Sequence, residues 1–378
     1  MTSAQSESAV NLLGKSADEL RALAVSLGEP AYRGAQLYHA LYAEKRFDVA
    51  AMTNLPAAFR DRLAKETSIE LPRIVRRYPS ADGTMRYVLA LDAAAAEPAD
   101  PIAREIPPKH GGATIETVFM PEENRQTICI STQAGCAVDC HFCLTATLGL
   151  IRNLTAGEML GQVIVALEDH RATLLPQTNV VLMGQGEPLL NYDAVMAALR
   201  ILLDREGLAI SAKHVTLSTS GIVPGIERMA QEAMRPKLAI SLNASNDEQR
   251  DEIMPINRKY PLENLLEACR RYPLRTWEHL TFEYVLLGRF NDAPEDARRV
   301  ARLIANIRAK VNLIPWNPGN LPYRLPDGAR VEEFRRILTE KGIPAFVRYS
   351  RGQDVMAACG QLALLETSGA QPLAQISV

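Results

Sequence analysis

The spacing of hydrophobic residues divides the chain into a helical beginning, a β-rich stretch and a long alternation of strands and helices. In the first stretch, a capping box at 16–19 opens a helix that runs to about Ser26. Apolar residues recur at helical spacing over 33–42, and a third helix is predicted over 56–63. Residues 1–70 are therefore predicted to form a small helical domain.

The second stretch alternates between apolar and polar positions, as half-buried strands do. Two strands at 73–78 and 85–91 flank an Asp-Gly turn, which is a strong hairpin signal. A further strand is predicted at 115–120. Residues 92–114 are rich in Ala, Pro and Gly, and we expect a loop or insertion there without an assigned function. Residues 71–121 are thus predicted to form a β-hairpin extension.

From residue 127, six apolar strands alternate with helices. The strands are predicted at 127–132, 179–184, 214–219, 237–242, 280–287 and 311–315, and the intervening helices at 155–170, 192–203, 224–234, 262–272 and 294–308. Such units form a parallel sheet with right-handed crossovers, although six are too few for a complete eight-fold barrel. A helix at 331–341 and a strand at 345–349 follow, and the chain beyond 366 is expected to fray. The fold class is α/β.

Composition narrows the class of protein. The 378 residues are 47% hydrophobic and 23% charged, as in a soluble protein of roughly two or three domains. We see neither a signal peptide nor an apolar stretch long enough to cross a membrane, so we expect a cytoplasmic monomer. Six cysteines, three of them clustered, favour a metal site over a disulfide framework. A net charge of −2 gives no overall attraction to nucleic acid, so any RNA contact must come from local basic patches.

Three cysteines follow the first parallel strand at the spacing Cys-x3-Cys-x2-Cys: Cys136, Cys140 and Cys143. Three thiolates on one loop can hold three corners of a cubane iron–sulfur cluster, and the fourth iron then stays open for a substrate. Phe142 can cover the cluster against solvent. The alternative is a zinc site with Cys129 or His141 as the fourth ligand.

Polar residues end the later strands at the edge of the sheet that carries the cysteine loop. Ligands of parallel sheets collect at the carboxyl ends of the strands. The second strand ends in a Gly-Gln-Gly-Glu turn, where small residues allow close backbone approach and Glu187 can bind an amino group. Strands three, four and six end in Ser218, in 241–243 and in Asn317. These residues are predicted to surround one ligand.

The cysteine loop, with an aromatic residue before its last cysteine, resembles the signature of the radical S-adenosylmethionine (SAM) superfamily. The Gly-Glu turn resembles the motif that contacts the SAM amino group. Over about residues 15–365, the chain resembles the RlmN type of rRNA and tRNA adenine carbon-2 methyltransferases. The resemblance rests on the order of six motifs: Glu-Thr-Val-Phe-Met-Pro, the cysteine motif, Gly-Glu-Pro-Leu, Ser-Thr-Ser-Gly, Ile-Pro-Trp-Asn-Pro and Ala-Ala-Cys-Gly-Gln-Leu. The resemblance implies a partial (βα)6 TIM-like barrel of the radical SAM type over 122–350 and a tail, 351–378, that carries a methyl-accepting cysteine.

The resemblance also implies a role for each matching residue. Cys136, Cys140 and Cys143 would hold a [4Fe-4S] cluster. SAM would be contacted by Gly186, Glu187, Ser218, Ser241, Leu242, Asn243 and Asn317. Cys359 would carry the methyl group, Cys129 would resolve it through a disulfide, and Glu116, otherwise a solvated strand residue, would accept a proton. Gln185 and Asn243 stand where the family commonly has Met and His, which leaves the SAM contacts in doubt.

The implied chemistry uses SAM twice, because carbon 2 of adenine lies between two ring nitrogens and is electrophilic. A thiolate first takes a methyl group from SAM, and a radical made from a second SAM then activates that methyl group. The implied partners are 23S rRNA, before ribosome assembly is complete, tRNA and an external electron donor such as flavodoxin.

Several basic groups are candidates for RNA contact, although each alone is more often a solvated face. They are Lys45, Arg46, Arg60 and Arg62 in the helical domain, Arg73, Arg76 and Arg77 on the hairpin, Arg270, Arg271 and Arg275 after a helix, and Arg348 and Arg351 beside the tail. For the helical domain, composition favours a packing cap, and the resemblance an RNA-contacting accessory domain. Three alternatives stay open: a Cfr-type adenine carbon-8 methyltransferase, another radical SAM enzyme such as a glycyl-radical activase, and a non-catalytic zinc or RNA-binding protein.

Overall fold

The computed structural model describes residues 9–91 and 113–363. Nearly all of the predicted insertion at 92–114 and the predicted fraying beyond 366 lie outside the described residues. The two ends of the insertion meet, because Leu91 N–H donates to the carbonyl of Ala113 at 2.9 Å. The insertion therefore leaves and re-enters the fold at one point.

The helical domain is present as predicted. It contains α1 (Ala17–Ser26), α2 (Tyr32–Tyr42) and α3 (Ala57–Glu66), together with two short parallel strands, β1 (Val10–Asn11) and β2 (Thr67–Ser68). The predicted capping box is formed, since the Ser16 N–H donates to Glu19 at 2.7 Å. Buried residues such as Leu20, Leu37 and Phe59 belong to the same continuous core as the barrel residues.

One ten-stranded sheet forms the rest of the frame, with spatial order β14-β13-β12-β11-β10-β9-β6-β5-β4-β3. Its strands are β3 (Arg73–Pro79), β4 (Met85–Ala90), β5 (Thr114–Pro121), β6 (Arg125–Cys129), β9 (Gln177–Leu182), β10 (Val215–Thr219), β11 (Lys237–Ser241), β12 (Leu280–Leu286), β13 (Ala309–Pro315) and β14 (Ala345–Val347); a separate hairpin contains β7 (Gln133–Gly135) and β8 (Leu150–Asn153). From β6 to β14 neighbouring strands are parallel, whereas β3 to β6 pair antiparallel. The predicted partial barrel with a β-hairpin extension is confirmed.

Helices connect the parallel strands: α4 (Ala156–Asp169), α5 (Tyr192–Leu203), α6 (Val223–Ala230), α7 (Asp247–Ile253), α8 (Leu262–Arg271), α9 (Pro294–Ile304) and α10 (Gly328–Glu340). Among the described residues, no helix is long and apolar enough to cross a membrane. Two helices end about four residues before their predicted ends, α6 at 230 and α9 at 304.

The sequence patterns missed α7 and the β7–β8 hairpin. Helix α7 does have an N-cap, because Asn246 accepts from Gln249 N–H at 2.8 Å, but its seven residues are almost all polar and show no apolar period. The hairpin strands have three and four residues, too few for an alternating pattern to stand out.

The helical domain packs closely on α4 through two glycines. A Cβ on Gly157 would overlap the carbonyl oxygen of Leu13, and a Cβ on Gly14 would overlap the backbone of Gly157. Gly14 also has a φ of +92°, which L side chains rarely adopt. This contact fixes the position of the helical domain against the barrel.

Candidate active site

A cavity lies at the carboxyl ends of the parallel strands and contains about 1110 Å³ of space counted to its open mouth. Ten of the thirteen predicted site residues line it: Cys136, Cys140, Cys143, Gly186, Glu187, Ser218, Ser241, Asn243, Asn317 and Cys359. Leu242, Cys129 and Glu116 are not among its lining residues.

The cysteine loop lies in the connection between β7 and β8 and is held mainly by backbone hydrogen bonds. Cys136 N–H donates to the carbonyl of Gly149 at 3.0 Å, and His141 N–H donates to that of Ile253 at 2.9 Å. Gly135 must be a glycine, because its φ is +73° and a Cβ there would overlap the Gly149 carbonyl. The loop is therefore positioned by rigid neighbours on two sides.

The three thiols fit a cluster that supplies positive charge. Burial, with smaller contributions from Cys143 and Glu187, raises the pKa of Cys136 to about 12. Burial and the two neighbouring thiols raise the pKa of Cys140 well above its ordinary value. A bound cationic centre reverses this effect and favours thiolates. No three His, Cys, Asp or Glu side chains within the described residues converge on a single metal ion, and cubane thiolates, each bound to a different iron, need no such convergence.

The Gly-Glu turn joins the ends of β9 and β10. Gly186 has a φ of +102°, and a Cβ there would lie 2.6 Å from the Cβ of Gln133. The Glu187 carboxylate accepts from Ser220 N–H at 2.7 Å and from Leu189 N–H at 3.0 Å. Burial raises the pKa of Glu187, although these hydrogen bonds oppose the shift. Its carboxylate is thus fixed in place at the cavity wall.

The remaining rim residues differ in how far their side chains are committed to the protein. Asn243 has a φ of +57°, and its side-chain oxygen accepts from Val285 N–H at 2.9 Å. Leu242 is fully buried in the main core, and its N–H donates to the carbonyl of Glu283. Ser218 and Ser241 line the cavity as expected.

The tail brings Cys359 to the cavity. Asn317 donates to the Cys359 carbonyl at 3.0 Å, Leu144 N–H donates to that of Gly360 at 2.8 Å, and Thr145 donates to that of Leu362 at 2.7 Å. Cys359 as a residue has exposed surface, but it also lines the cavity, where protein surrounds the thiol. The protein around it raises the pKa of the thiol to about 11, first through burial and then through Glu283 and Cys143.

Cys129 lies beside the tail rather than on the cavity wall. It is buried in a small cluster with Val118, Ala357 and Leu362. Burial, followed by the influence of Cys359, raises its pKa. Cys129 and Cys359 therefore lie near each other. No disulfide joins them, because all six cysteines are free.

Glu116 is fully buried on β5 and forms an ion pair with Arg86, which is 2% exposed. Its second oxygen accepts from the Gln185 side chain at 3.4 Å. Glu116 therefore lies directly behind the Gly-Gln-Gly-Glu turn. A solvated strand face does not describe it.

Two charged residues near the cavity were missed. Glu283, on β12, lines the cavity and accepts from Asn312 at 2.9 Å, and burial raises its pKa to about 7. The sequence did offer a signal for Glu283, because a carboxylate within the otherwise apolar Phe-Glu-Tyr run of β12 is typical of a functional residue. Arg250 is fully buried and donates to the carbonyls of Ser220 and Ser241, which joins β10 to β11. It stands in the polar run of α7, where nothing in the sequence marks it.

Most of the arginines predicted to contact RNA are bonded within the chain. Arg62 pairs with Glu29, Arg77 with Asp169, Arg271 with Glu227, and Arg351 with Asp82. Arg60 donates to the carbonyl of Ala50, and Arg348 to the side chain of Asn312. Counting arginines in the sequence therefore overestimates the unneutralised charge.

Comparison with known proteins places this site in a family. A model described as the radical SAM superfamily matches residues 130–303, and one described as the ribosomal RNA large subunit methyltransferase N-terminal domain matches residues 10–69. A probable dual-specificity RNA methyltransferase RlmN from Koribacter versatilis is 46% identical over 354 residues, covering 89% of this chain and 96% of that protein. The dual-specificity RNA methyltransferase RlmN of Paracoccus denitrificans is 44% identical, covering 97% and 93%.

A solved structure agrees. The crystal structure of a radical SAM methyltransferase from Sphaerobacter thermophilus is 42% identical, with a TM-score of 0.83 over 93% of this chain and 99% of that one. Coverage is nearly complete in both directions, so the likeness extends over whole chains. A non-catalytic zinc or RNA-binding protein is thereby excluded. The chain is a radical SAM enzyme and belongs to the dual-specificity RNA methyltransferase RlmN family.

Proposed function

We propose that this chain methylates carbon 2 of a specific adenosine in 23S rRNA and in tRNA, with Cys359 as the carrier of the methyl group. The observation that carries the proposal is that Cys359 lines the same cavity as Cys136, Cys140 and Cys143. The named relatives are all of the RlmN type, which does not favour the carbon-8 alternative.

The enzyme uses a [4Fe-4S] cluster and SAM. When bound, the cluster would supply an electron and SAM a cleavable sulfonium. Cys136, Cys140 and Cys143 hold the cluster. Glu187, fixed by two backbone N–H groups, accepts from the SAM amino group, and Gly186 lets the backbone approach. The other proposed SAM contacts are Ser218, Ser241, Leu242, Asn243 and Asn317. Of these, Leu242 can contribute only backbone, because its side chain is in the core.

Cys359 acts first as a nucleophile. Its thiol takes a methyl group from SAM by displacement, for which proximity and alignment supply much of the rate. A sulfonium beside the thiol stabilises the thiolate, against the raised pKa of about 11 in the protein alone. Cys129, packed beside Ala357 and Leu362 of the tail, later releases the product by forming a disulfide with Cys359.

Glu116 is the proposed acceptor of the adenine proton. It needs to exchange its contact with Gln185 for one with the substrate, because Gln185 stands between it and the cavity wall. The ion pair with Arg86 holds this carboxylate in place behind the turn.

The proposed substrates are structured RNAs, so the target adenosine must leave its stack to enter the cavity. We place the reaction in the cytoplasm, on 23S rRNA before ribosome assembly is complete and on tRNA. The enzyme acts as a monomer and receives its electron from an external donor such as flavodoxin.

The deciding experiment is anaerobic incubation of the reconstituted enzyme with SAM, a reductant and RNA fragments, followed by nucleoside mass spectrometry. We expect 2-methyladenosine, and before RNA is added the Cys359 peptide should already carry one extra CH₂. Methylation at carbon 8, or no modified adenosine, would refute the proposed function.

Cys129→Ala tests the assignment of the two thiols. We expect Cys359 still to be methylated and to attack adenine, so that a covalent protein–RNA adduct accumulates on Cys359. Normal turnover by Cys129→Ala would show that Cys129 is only a buried strand residue.

A further inference from the structure

A small apolar core separates the cysteine loop from one outer surface of the barrel. Its buried members are Ile253, Met254, Leu287 and Trp316. Partly buried residues that pack against them include Cys140 and Phe142 of the cysteine loop, and Ile256, Phe290, Leu321 and Tyr323. Met254, Phe142 and Trp316 also line the cavity, so this core forms one wall of the active site.

Aromatic side chains connect the outer surface to the cysteine loop. The Trp316 indole N–H donates to the Phe142 carbonyl at 3.2 Å, and Trp316 is only 5% exposed. Its ring meets that of Tyr323 edge to face, with centroids 6.0 Å apart. Tyr323 is half-buried and is followed by Leu325, which is 57% exposed. One indole therefore separates a surface aromatic residue from the backbone next to Cys143.

Exposed basic residues surround this apolar region. Arg289 adjoins Phe290, and Arg324 adjoins Tyr323; their loops are joined where Gly288 N–H donates to the Arg324 carbonyl at 2.8 Å. Arg258 and Lys259 follow Ile256, and both are exposed. We call Phe290, Leu321, Tyr323 and Leu325, with the rim of Arg258, Lys259, Arg289 and Arg324, the outer patch.

The charges of the outer patch are not neutralised within the part of the chain that the structure describes. None of its four basic side chains forms an ion pair there, in contrast to Arg62, Arg77, Arg271 and Arg351. Acidic residues also border the patch. Glu252 lies close enough to Tyr323 to raise the pKa of its hydroxyl, after burial, and Asp292 and Asp327 line one groove with Arg289, Arg324 and Leu325. Glu333 in the same groove pairs with Arg330. The patch thus has an apolar centre and a rim in which its four basic residues outnumber the three acidic ones that are unpaired among the described residues.

We infer that the outer patch is the docking surface for an acidic protein that carries a one-electron redox centre and reduces the cluster. The inference rests on the proposed function, which requires one electron per radical. One electron leaves the reduced centre of the carrier and enters the cluster, and no bond forms or breaks at this step.

Two properties of the patch support this partner. An apolar, aromatic centre within a charged rim is the usual anatomy of a protein–protein interface, and a basic rim selects an acidic partner and speeds encounter. The apolar core beneath it contacts Cys140, a proposed cluster ligand, so a carrier docked here is separated from the cluster by packed side chains.

Phosphates of a bound RNA would also satisfy a basic rim. Phosphates would gain nothing from Leu325, and unpaired bases, which can stack on aromatic rings, would gain nothing from the contact between this core and Cys140. We therefore favour the protein carrier, and RNA binding becomes an outcome of the test.

The test uses the reconstituted enzyme with flavodoxin as the probe. In the variant Arg289→Glu/Arg324→Glu, we expect the affinity for oxidised flavodoxin, measured by calorimetry, to fall about tenfold or more. The rate of cluster reduction by reduced flavodoxin should fall by a similar factor and lose most of its salt dependence. Reduction by dithionite, which needs no docking, should be unchanged.

Two further variants sharpen the result. Arg205→Glu/Lys341→Glu makes the same charge change in exposed residues at the ends of α5 and α10, on the opposite face of the barrel, and should leave flavodoxin binding within about twofold of wild type. Glu252→Lys should instead tighten binding, because it adds positive charge to the rim.

Unchanged flavodoxin affinity and unchanged reduction rate in Arg289→Glu/Arg324→Glu would overturn the inference. So would a loss of RNA binding, measured with a tRNA fragment, without any change in reduction by flavodoxin. Failure of the inference is separate from failure of the proposed function, because dithionite-driven methylation of RNA by the wild-type enzyme tests the function alone.

Discussion

The cysteine loop and the C-terminal tail bring thiols to the same cavity by different means. The loop, 136–143, is held by backbone hydrogen bonds to the adjacent β7–β8 hairpin and to Ile253. The tail, 351–363, is held by residues far away in the chain: Thr145 bonds to Leu362 across 217 positions, and Ser80 to Asp354 across 274. Neither segment forms a regular helix or strand over its length. Only the cysteine loop is held in part by residues close to it in the sequence.

This difference matches what each thiol must do. In the proposed mechanism a cluster ligand stays in place, whereas Cys359 meets SAM, adenine and Cys129 in turn. Three residues of the tail, Gly352, Met356 and Gly360, have φ between 55° and 78°. For a non-glycine residue such as Met356 this conformation costs on the order of 1 kcal/mol, which the contacts of the docked tail offset.

The largest expected effect separates the two thiol-bearing segments. Cys140→Ala should remove the cluster and all RNA methylation, because two thiolates remain where three are needed. The thermal midpoint should change little, since the loop lies outside the main core. Iron content and visible absorption measure the loss. Cys269→Ala, which removes a buried thiol on α8, is the matched control and should keep its iron. Full iron content in Cys140→Ala would show that Cys140 is not a ligand of the cluster.

Changing the tail thiol should produce the opposite pattern. Cys359→Ala should abolish RNA methylation completely while iron content and SAM binding stay near wild-type values, because the thiol carries the methyl group and does not hold the cluster. Reductive cleavage of SAM, followed as 5′-deoxyadenosine release, reports on the intact cluster. Methylated RNA from Cys359→Ala would contradict the thiol-carrier mechanism.

A smaller effect is expected from loosening the tail without touching its thiol. Asp354 accepts from Ser80 at 2.5 Å and from Ala81 N–H at 3.0 Å. Asp354→Ala removes both hydrogen bonds, each worth about 1 kcal/mol, so the undocked tail should be populated roughly thirtyfold more. Alkylation of Cys359, followed by peptide mass spectrometry, should accelerate accordingly. Asp48→Ala, which removes a comparable cap in the helical domain, should not change that rate.

The smallest effect concerns the carboxylate that faces the tail across the cavity. Burial raises the pKa of Glu283 to about 7, so the folded state binds this proton more tightly than the unfolded chain. The stabilisation is present below the unfolded pKa of about 4.3 and is lost as pH rises through 7. Glu283→Gln in the metal-free protein should therefore match wild type near pH 4 and be about 1–3 kcal/mol more stable near pH 8. The free energy of unfolding of both proteins is measured with denaturant from pH 4 to pH 8. A difference between Glu283→Gln and wild type that does not change with pH would contradict the prediction.

Much of the fold follows from local patterns. The six parallel strands and the hairpin were predicted because apolar runs and an Asp-Gly turn report directly on nearby residues. The cysteine motif and the strand-end residues Ser218, Ser241 and Asn317 reach the cavity because the carboxyl ends of parallel strands share one edge. Helix α7 was missed because its polar residues show no apolar period, although it contains the buried Arg250.

The chain by itself determined most of the segments that become strands and helices, and its motifs pointed to the cysteines and to the family. Only the tertiary structure decided where the tail docks, which arginines are neutralised and which carboxylate, Glu283 or Glu116, faces the cavity. These outcomes depend on contacts between residues that are distant in sequence. Spacing along a chain carries no information about such contacts, because they form only when separate elements pack together.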